Sequence, residues 1–151
     1  MTMVFPNFNY CIVCDIIRPE LGGKIILLGF YGLTPDVLVP VANINHPVVL
    51  SILAAFPPPP PEASTPYESI TSIVRPDGVG IFQTPPIRLA VSKGRGVALP
   101  LAFNIPPPIL PGRYTVRITV NGEVKMDTSF SISAPALPEL NRQPTAIVGP
   151  N

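Results

Sequence analysis

An all-β fold, an antiparallel β-sandwich of the immunoglobulin-like kind with seven to nine short strands, is what this sequence predicts. Three observations carry that expectation. First, residues 112–132 alternate around Asn121-Gly122. Tyr114, Val116 and Ile118 fall on one face and Arg113, Thr115, Arg117 and Thr119 on the other; on the return, Val124, Met126, Phe130 and Ile132 point inward and Glu123, Lys125, Asp127 and Ser129 outward. That is the period-2 pattern of a sheet with one wet face. Second, 23 of the 151 residues are proline, spaced so that long helices are excluded. Third, charged residues are only 13% of the chain, about half the usual share, which suits many short strands joined by proline-rich loops.

Taken in order, residues 1–9 read as an N-terminal arm with Phe5 and Phe8 as anchors. A single sandwich domain is expected over residues 10–133. Tyr10 to Arg18 and Lys24 to Tyr31 are strands joined by Pro19-Glu20-Leu21-Gly22-Gly23. Both are apolar on both faces, the pattern of strands covered on each side. Asp36 to Val41 is a short edge piece between Pro35 and Pro40, and Pro47 to Phe56 is a further strand. Pro57 to Pro61 forms a stiff loop of extended polyproline type. Tyr67 to Arg75 is a strand, Pro76-Asp77-Gly78 a turn, Ile87 to Val91 a short strand and residues 92–96 a loop. Val97 to Ile105 alternates cleanly, and Pro100 marks it as an edge strand or as one whose N–H at that position points away from a partner. Pro106 to Gly112 crosses over to the final hairpin, and residues 134–151 read as a flexible proline-rich tail.

The hairpin's register follows from parity, because residues opposite one another in an antiparallel pair share a face. A two-residue Asn121-Gly122 loop sets wet Thr119 against dry Val124. A three-residue loop, Val120-Asn121-Gly122, pairs Ile118 with Val124 and Val116 with Met126. The expectation is therefore a bulged turn with Gly122 left-handed.

Composition limits function. A net charge of +1 gives no pull toward nucleic acid or membrane. The longest apolar run, Ile25 to Leu33, is far short of the roughly 20 residues that span a bilayer. Residues 1–9 lack the basic and apolar regions of a secretory signal, so a cytoplasmic location is expected. Cys11 and Cys14 lie three apart on one strand, hence on opposite faces, too far for a disulfide. With one histidine, His46, there is no set of four zinc ligands. No metal and no cofactor are expected.

Catalysis needs convergent titratable groups, and here they are scattered. His46 sits at a loop-to-strand junction, and Ser51 and Ser92 lack a nucleophile-elbow context. No catalytic residue is assigned and no enzymatic activity is expected. Asp15 stands out as a carboxylate in an apolar strand, to be satisfied at a sheet edge, by backbone groups or by Arg18, with a ligand site as the alternative. From Gly78 to Gly122 five cations and no acid occur; of these Arg88, Lys93 and Arg95 are the candidate anion-binding residues. Aromatics are not interleaved with them, so no nucleic-acid partner is expected. Phe56 and the following prolines are similar to ligands of polyproline-reading domains, but Phe56 continues an inward face and the run reads as a spacer.

Six pieces in order resemble a family of short bacterial proteins filed as a domain of unknown function. They are Cys14-Asp15-Ile16-Ile17-Arg18, Gly23-Lys24 through Gly29-Phe30, Pro76-Asp77-Gly78, Pro111-Gly112-Arg113-Tyr114, Asn121-Gly122-Glu123 and Phe130-Ser131-Ile132. The proline run at 57–61 departs from that pattern. The resemblance implies a β-sandwich and assigns no activity. The reading is thus an interaction or structural module with a protein partner, no membrane, and self-association through a sheet edge. A small-ligand or anion-binding domain at Lys93-Arg95 is the alternative.

Overall fold

In a computed structural model of the chain, residues 10–22, 24–57, 67–89 and 97–135 are described. They form ten strands: β1 (Tyr10–Pro19), β2 (Ile25–Leu33), β3 (Leu38–Pro40), β4 (Val48–Phe56), β5 (Glu68–Val74), β6 (Gly80–Gln83), β7 (Ile87–Arg88), β8 (Val97–Ile105), β9 (Gly112–Val120) and β10 (Glu123–Ser133). One sheet has the order β2-β1-β4-β8; the other runs β3-β10-β9-β5-β6, with β7 also on β5. Every pairing is antiparallel except β3 with β10. The count exceeds the seven to nine expected from sequence. β6, four residues following the Asp77-Gly78 turn, is the strand that expectation missed.

The core fills the space between the sheets. β8 alternates buried and exposed along its whole length, as its sequence demands, and its edge position accommodates Pro100. From the opposite sheet Tyr114, Val116 and Ile118 are fully buried, as are Ile73 and Phe130. Tyr114 stacks on Phe130 with ring centroids 5.4 Å apart, and Phe130 meets Phe103 across the core at 6.0 Å. Each such side chain contributes about 1.5–3 kcal/mol by leaving water. Phe56 is buried too. Of the Pro57 to Pro61 spacer only Pro57 lies within the described residues.

The final hairpin corrects the parity argument. Glu123 pairs with Val120 and Val124 with Thr119, across a two-residue Asn121-Gly122 loop. Both loop residues have positive φ, 50° and 80°, the type I′ geometry that Asn-Gly favours. Tertiary contacts fix Asn121 there: its N–H donates to the Glu68 carbonyl at 3.0 Å, and its Oδ1 accepts from the Glu68 N–H at 2.9 Å. The parity mismatch is absorbed one step later. A bulge between Val124 and Met126 turns Val124 out with Thr119 and Met126 in with Ile118. Val124 is accordingly exposed and not inward. The cross-strand ion pair is then Arg117 to Asp127, at 2.8 Å.

Candidate interaction surface

The two sheets differ on their outer faces. On the outside of the six-stranded sheet stand Arg113, Thr115, Arg117 and Thr119. On the outside of the four-stranded sheet the register aligns apolar side chains strand by strand. β1 contributes Tyr10, Ile12, Cys14 and Ile16. Beside them on β2 lie Leu33, Phe30 and Leu28. On the other flank β4 sets Ala55, Leu53 and Ser51 against Tyr10, Ile12 and Cys14, and β8 adds Ala98, Pro100 and Ala102. No charged residue lies within this field. The field is closed along its middle, where β4 is buried on both faces from Leu50 to Phe56 and Cys14 and Leu53 are buried. Its flanking members are open to solvent: Phe30 is 60% exposed, Val49 60%, Ile16 55% and Leu33 54%. The sequence reading of β2 as covered on both faces is corrected: β2 is an edge strand, and its two-sided apolar pattern reflects an exposed face rather than a second covering layer.

The β1–β2 ribbon is shaped by Asp15. β1 pairs with β4 only from Tyr10 to Cys14; beyond that, the Ser51 hydroxyl donates to the Asp15 carbonyl at 3.2 Å. The Asp15 side chain lies across Gly29, where any Cβ would collide with its carboxylate and where φ is +66°. Tyr31, the extra residue of a bulge in β2, donates its hydroxyl to Asp15 Oδ1 at 2.6 Å. That bond and partial burial push the Tyr31 phenol up to about 12. Asp15 is thus satisfied by Tyr31 and not by Arg18, which pairs with Glu20 at 3.2 Å. It is a structural carboxylate holding the bulge.

The other sequence candidates do not converge. Arg88 is exposed on β7 and stands opposite Glu68, while Lys93 and Arg95 lie outside the described residues. His46 is exposed in the loop before β4. Cys11 and Cys14 are both buried free thiols. Burial pushes Cys11 up to about 12 and Cys14 above its ordinary value, so both stay protonated at neutral pH and neither is activated as a nucleophile. Among the described residues no cluster of three His, Cys, Asp or Glu side chains could hold a metal, and no helix is long and apolar enough to cross a membrane. A groove of about 350 Å³ on the six-stranded sheet is lined by Pro35, Arg113, Thr115, Asp127, Thr128 and Ser129. It is shallow and polar, unlike the apolar clefts that take small ligands, and its carboxylate is already engaged by Arg117.

Motif pieces read from the sequence meet in space. Asp15 sits on Gly29. Gly112, with φ +132°, packs against Pro76, whose Cγ lies 2.9 Å from where a Cβ would be. Tyr114 donates its hydroxyl to the Leu110 carbonyl at 2.7 Å. These residues shape turns and ribbons. The apolar outer face was the feature that sequence reasoning missed, although its signal, two-sided apolar strands, was present.

No protein-family model matches the chain, and no curated protein matches it. Among solved structures it is similar to Pseudomonas fluorescens alkylpurine DNA glycosylase AlkC bound to DNA containing an abasic site analog. The identity is 21% and the TM-score 0.40, over 64% of this chain and 28% of that chain. This finding corrects two exclusions drawn from sequence, that of enzymatic activity and that of a nucleic-acid partner. The matched protein is an enzyme in complex with DNA, so neither exclusion is retained. At that TM-score the likeness carries no argument for either property in this chain.

Proposed function

We propose that this chain is a protein-interaction module that works through the outer face of its four-stranded sheet. The observation that carries the reading is the set of exposed apolar side chains on that face, Ile16, Leu28, Phe30, Leu33 and Val49, with no charged side chain among them. Scattered apolar residues need no explanation, but a field of several hundred Å² marks a binding surface. An immunoglobulin-like sandwich is part of the same reading, supported by the Tyr114 hydroxyl bonded to the carbonyl four residues upstream, as in a tyrosine corner. The resemblance to the bacterial family of unknown function and a cytoplasmic location also belong to it. The anion-binding alternative has no comparable observation on its side.

A benzophenone amino acid placed at Phe30, and separately at Arg117 on the opposite sheet, tests this in the native host. Light-dependent cross-linking to protein is expected from position 30 and not from 117. Equal cross-linking at the two positions, or none at 30, overturns the reading.

A further inference from the structure

We infer that the partner is a second copy of the same chain, joined edge to edge, β2 against β2, across a two-fold axis. The inference rests on the reading above and adds the identity and geometry of the partner.

The β1–β2 hairpin outruns the sheet that carries it. β1 pairs with β4 only from Tyr10 to Cys14, but with β2 as far as Pro19 and Ile25. Beyond Cys14 the chain is therefore a two-stranded ribbon, a unit that is marginal by itself in water. The ribbon is apolar on both faces. Ile16, Ile26 and Leu28 share the outer face with Phe30, and Ile25 stands on the inner one. All of these are exposed, and the turn carries Leu21, which is 97% exposed.

The edge of the ribbon is open as well. The Glu20 N–H donates to the Lys24 carbonyl at 2.8 Å. Bonded and non-bonded pairs alternate along an antiparallel ladder. Arg18–Ile26 and Ile16–Leu28 are then bonded pairs, and Ile25 and Leu27 aim their N–H and C=O groups away from β1. Sheet edges are ordinarily blunted by proline, charge or brevity. Here β8 carries Pro100, β3 is three residues ending in Pro40, and β6 and β7 are four and two residues long. β2 has nine residues with neither proline nor charge. The bulge at Tyr31 and the positive φ of Gly29 confine its regular row to Ile25–Leu28. What satisfies such a row is another extended backbone.

A second copy answers the row in kind. A two-fold axis at Ile26 sets Ile25 opposite Leu27 of the other copy, and Leu27 opposite its Ile25. Every outward N–H and C=O of these residues then finds a partner. Ile26 faces Ile26, and the Leu21 turn of each copy reaches the level of Phe30 on the other. Antiparallel pairing sends the two sandwiches to opposite ends of the shared ribbon. Ile26 lies roughly 13 Å past Phe30, the level of Cys14 where β4 stops bracing β1, so the bodies stay clear of one another. Each Lys24 falls beside Leu28 of the other copy, roughly 13 Å from its like-charged twin, beyond a Debye length of about 10 Å. The contact is isologous and closes as a dimer. An edge contact is smaller than the roughly 800 Å² per partner of a standard interface, so dissociation on the order of micromolar is expected.

A charge-swap experiment on the purified full chain tests the inference, with mass measured by analytical ultracentrifugation. The native chain is expected to be a reversible dimer. Ile26→Lys and Ile26→Glu each set like charges face to face at the axis, and each alone is expected to weaken the dimer about 10-fold or more. An equal mixture of the two is expected to recover it as a heterodimer, because the axis sets position 26 against itself. Ile25→Pro removes an outward N–H at the first residue of an edge strand, where proline is tolerated; it is expected to be folded by circular dichroism and monomeric. A native chain that is monomeric at millimolar concentration overturns the inference. So does a mixture no more associated than its components, or a folded Ile25→Pro chain that dimerises as the native one does. A monomer whose position 30 still cross-links to another protein in the cell sinks the second copy and leaves the interaction reading standing. A monomer with no cross-link from position 30 sinks both.

Discussion

The two phenylalanines Phe30 and Phe130 place the same side chain on opposite terms with water. Phe130 is fully buried between Tyr114 and Phe103, on the dry side of a sheet whose other side carries Arg113, Arg117 and threonines. Phe30 is 60% exposed, on the outer side of a sheet that is apolar both inside and out. The six-stranded sheet obeys the rule for a sandwich layer, one face dry and one wet. The four-stranded sheet departs from it along its β2 flank, where Leu28, Phe30 and Leu33 are exposed, while its central strand β4 is buried on both faces from Leu50 to Phe56. What the difference teaches is that apolar character alone does not place a side chain inside: the same ring is fully buried on one sheet and largely exposed at the flank of the other.

The largest effect that would break this comparison is on the buried ring. Phe130→Ala should cost about 3–5 kcal/mol, the loss of transfer energy plus a cavity. Phe30→Ala should change unfolding of the isolated monomer by under about 0.5 kcal/mol, the range of ordinary surface substitutions. Urea denaturation at low protein concentration measures both. Equal costs would mean that the outer face is packed within one chain.

A smaller effect concerns the ribbon that carries the face. Gly29→Ala forces a Cβ into the Asp15 carboxylate at a positive φ, and should destabilise by about 1–3 kcal/mol. Adding Asp15→Gly should relieve the collision but not the backbone strain, so roughly half the loss should return. A Gly29→Ala chain as stable as the native one would remove Asp15 from the role assigned to it.

The smallest effect is a pH dependence. The Tyr31 phenol is raised above its ordinary value to about 12 by the bond to Asp15. A group whose folded value is raised contributes stability fully below its unfolded value, about 10, and loses it as pH climbs through the folded value. Stability owed to Tyr31 should therefore be constant below pH 10 and fall between about 10 and 12. The group is largely solvent-screened, so the loss should stay under about 1 kcal/mol. Tyr31→Phe should abolish this segment of the pH profile, and ultraviolet titration of the phenol should follow the same range. A Tyr31 that ionises at its ordinary value would show the bond to Asp15 to be absent in solution.

Much of the fold was legible before any coordinates. Alternation in Val97–Ile105 and Gly112–Val120 determined which side chains enter the core, because a strand's geometry sends successive side chains to opposite faces. The Asp77-Gly78 and Asn121-Gly122 turns were legible from residues that tolerate positive φ. Pro100, which has no N–H to give, narrowed its strand to an edge or to an N–H position facing no partner, of which the structure has the edge. Two matters were decided only in the tertiary structure. The hairpin register depended on Glu68, far away in sequence, which holds Asn121 in the turn and passes the parity mismatch to a bulge at Lys125. Parity reasoning shows that one residue is in excess but not where the chain absorbs it. Likewise, two-sided apolar strands such as Ile25–Leu33 read the same whether the second face meets another layer or opens to solvent. Sequence records a strand's preference for burial at each position. Which surface satisfies it depends on the number and order of layers, and those are set by contacts between residues remote along the chain.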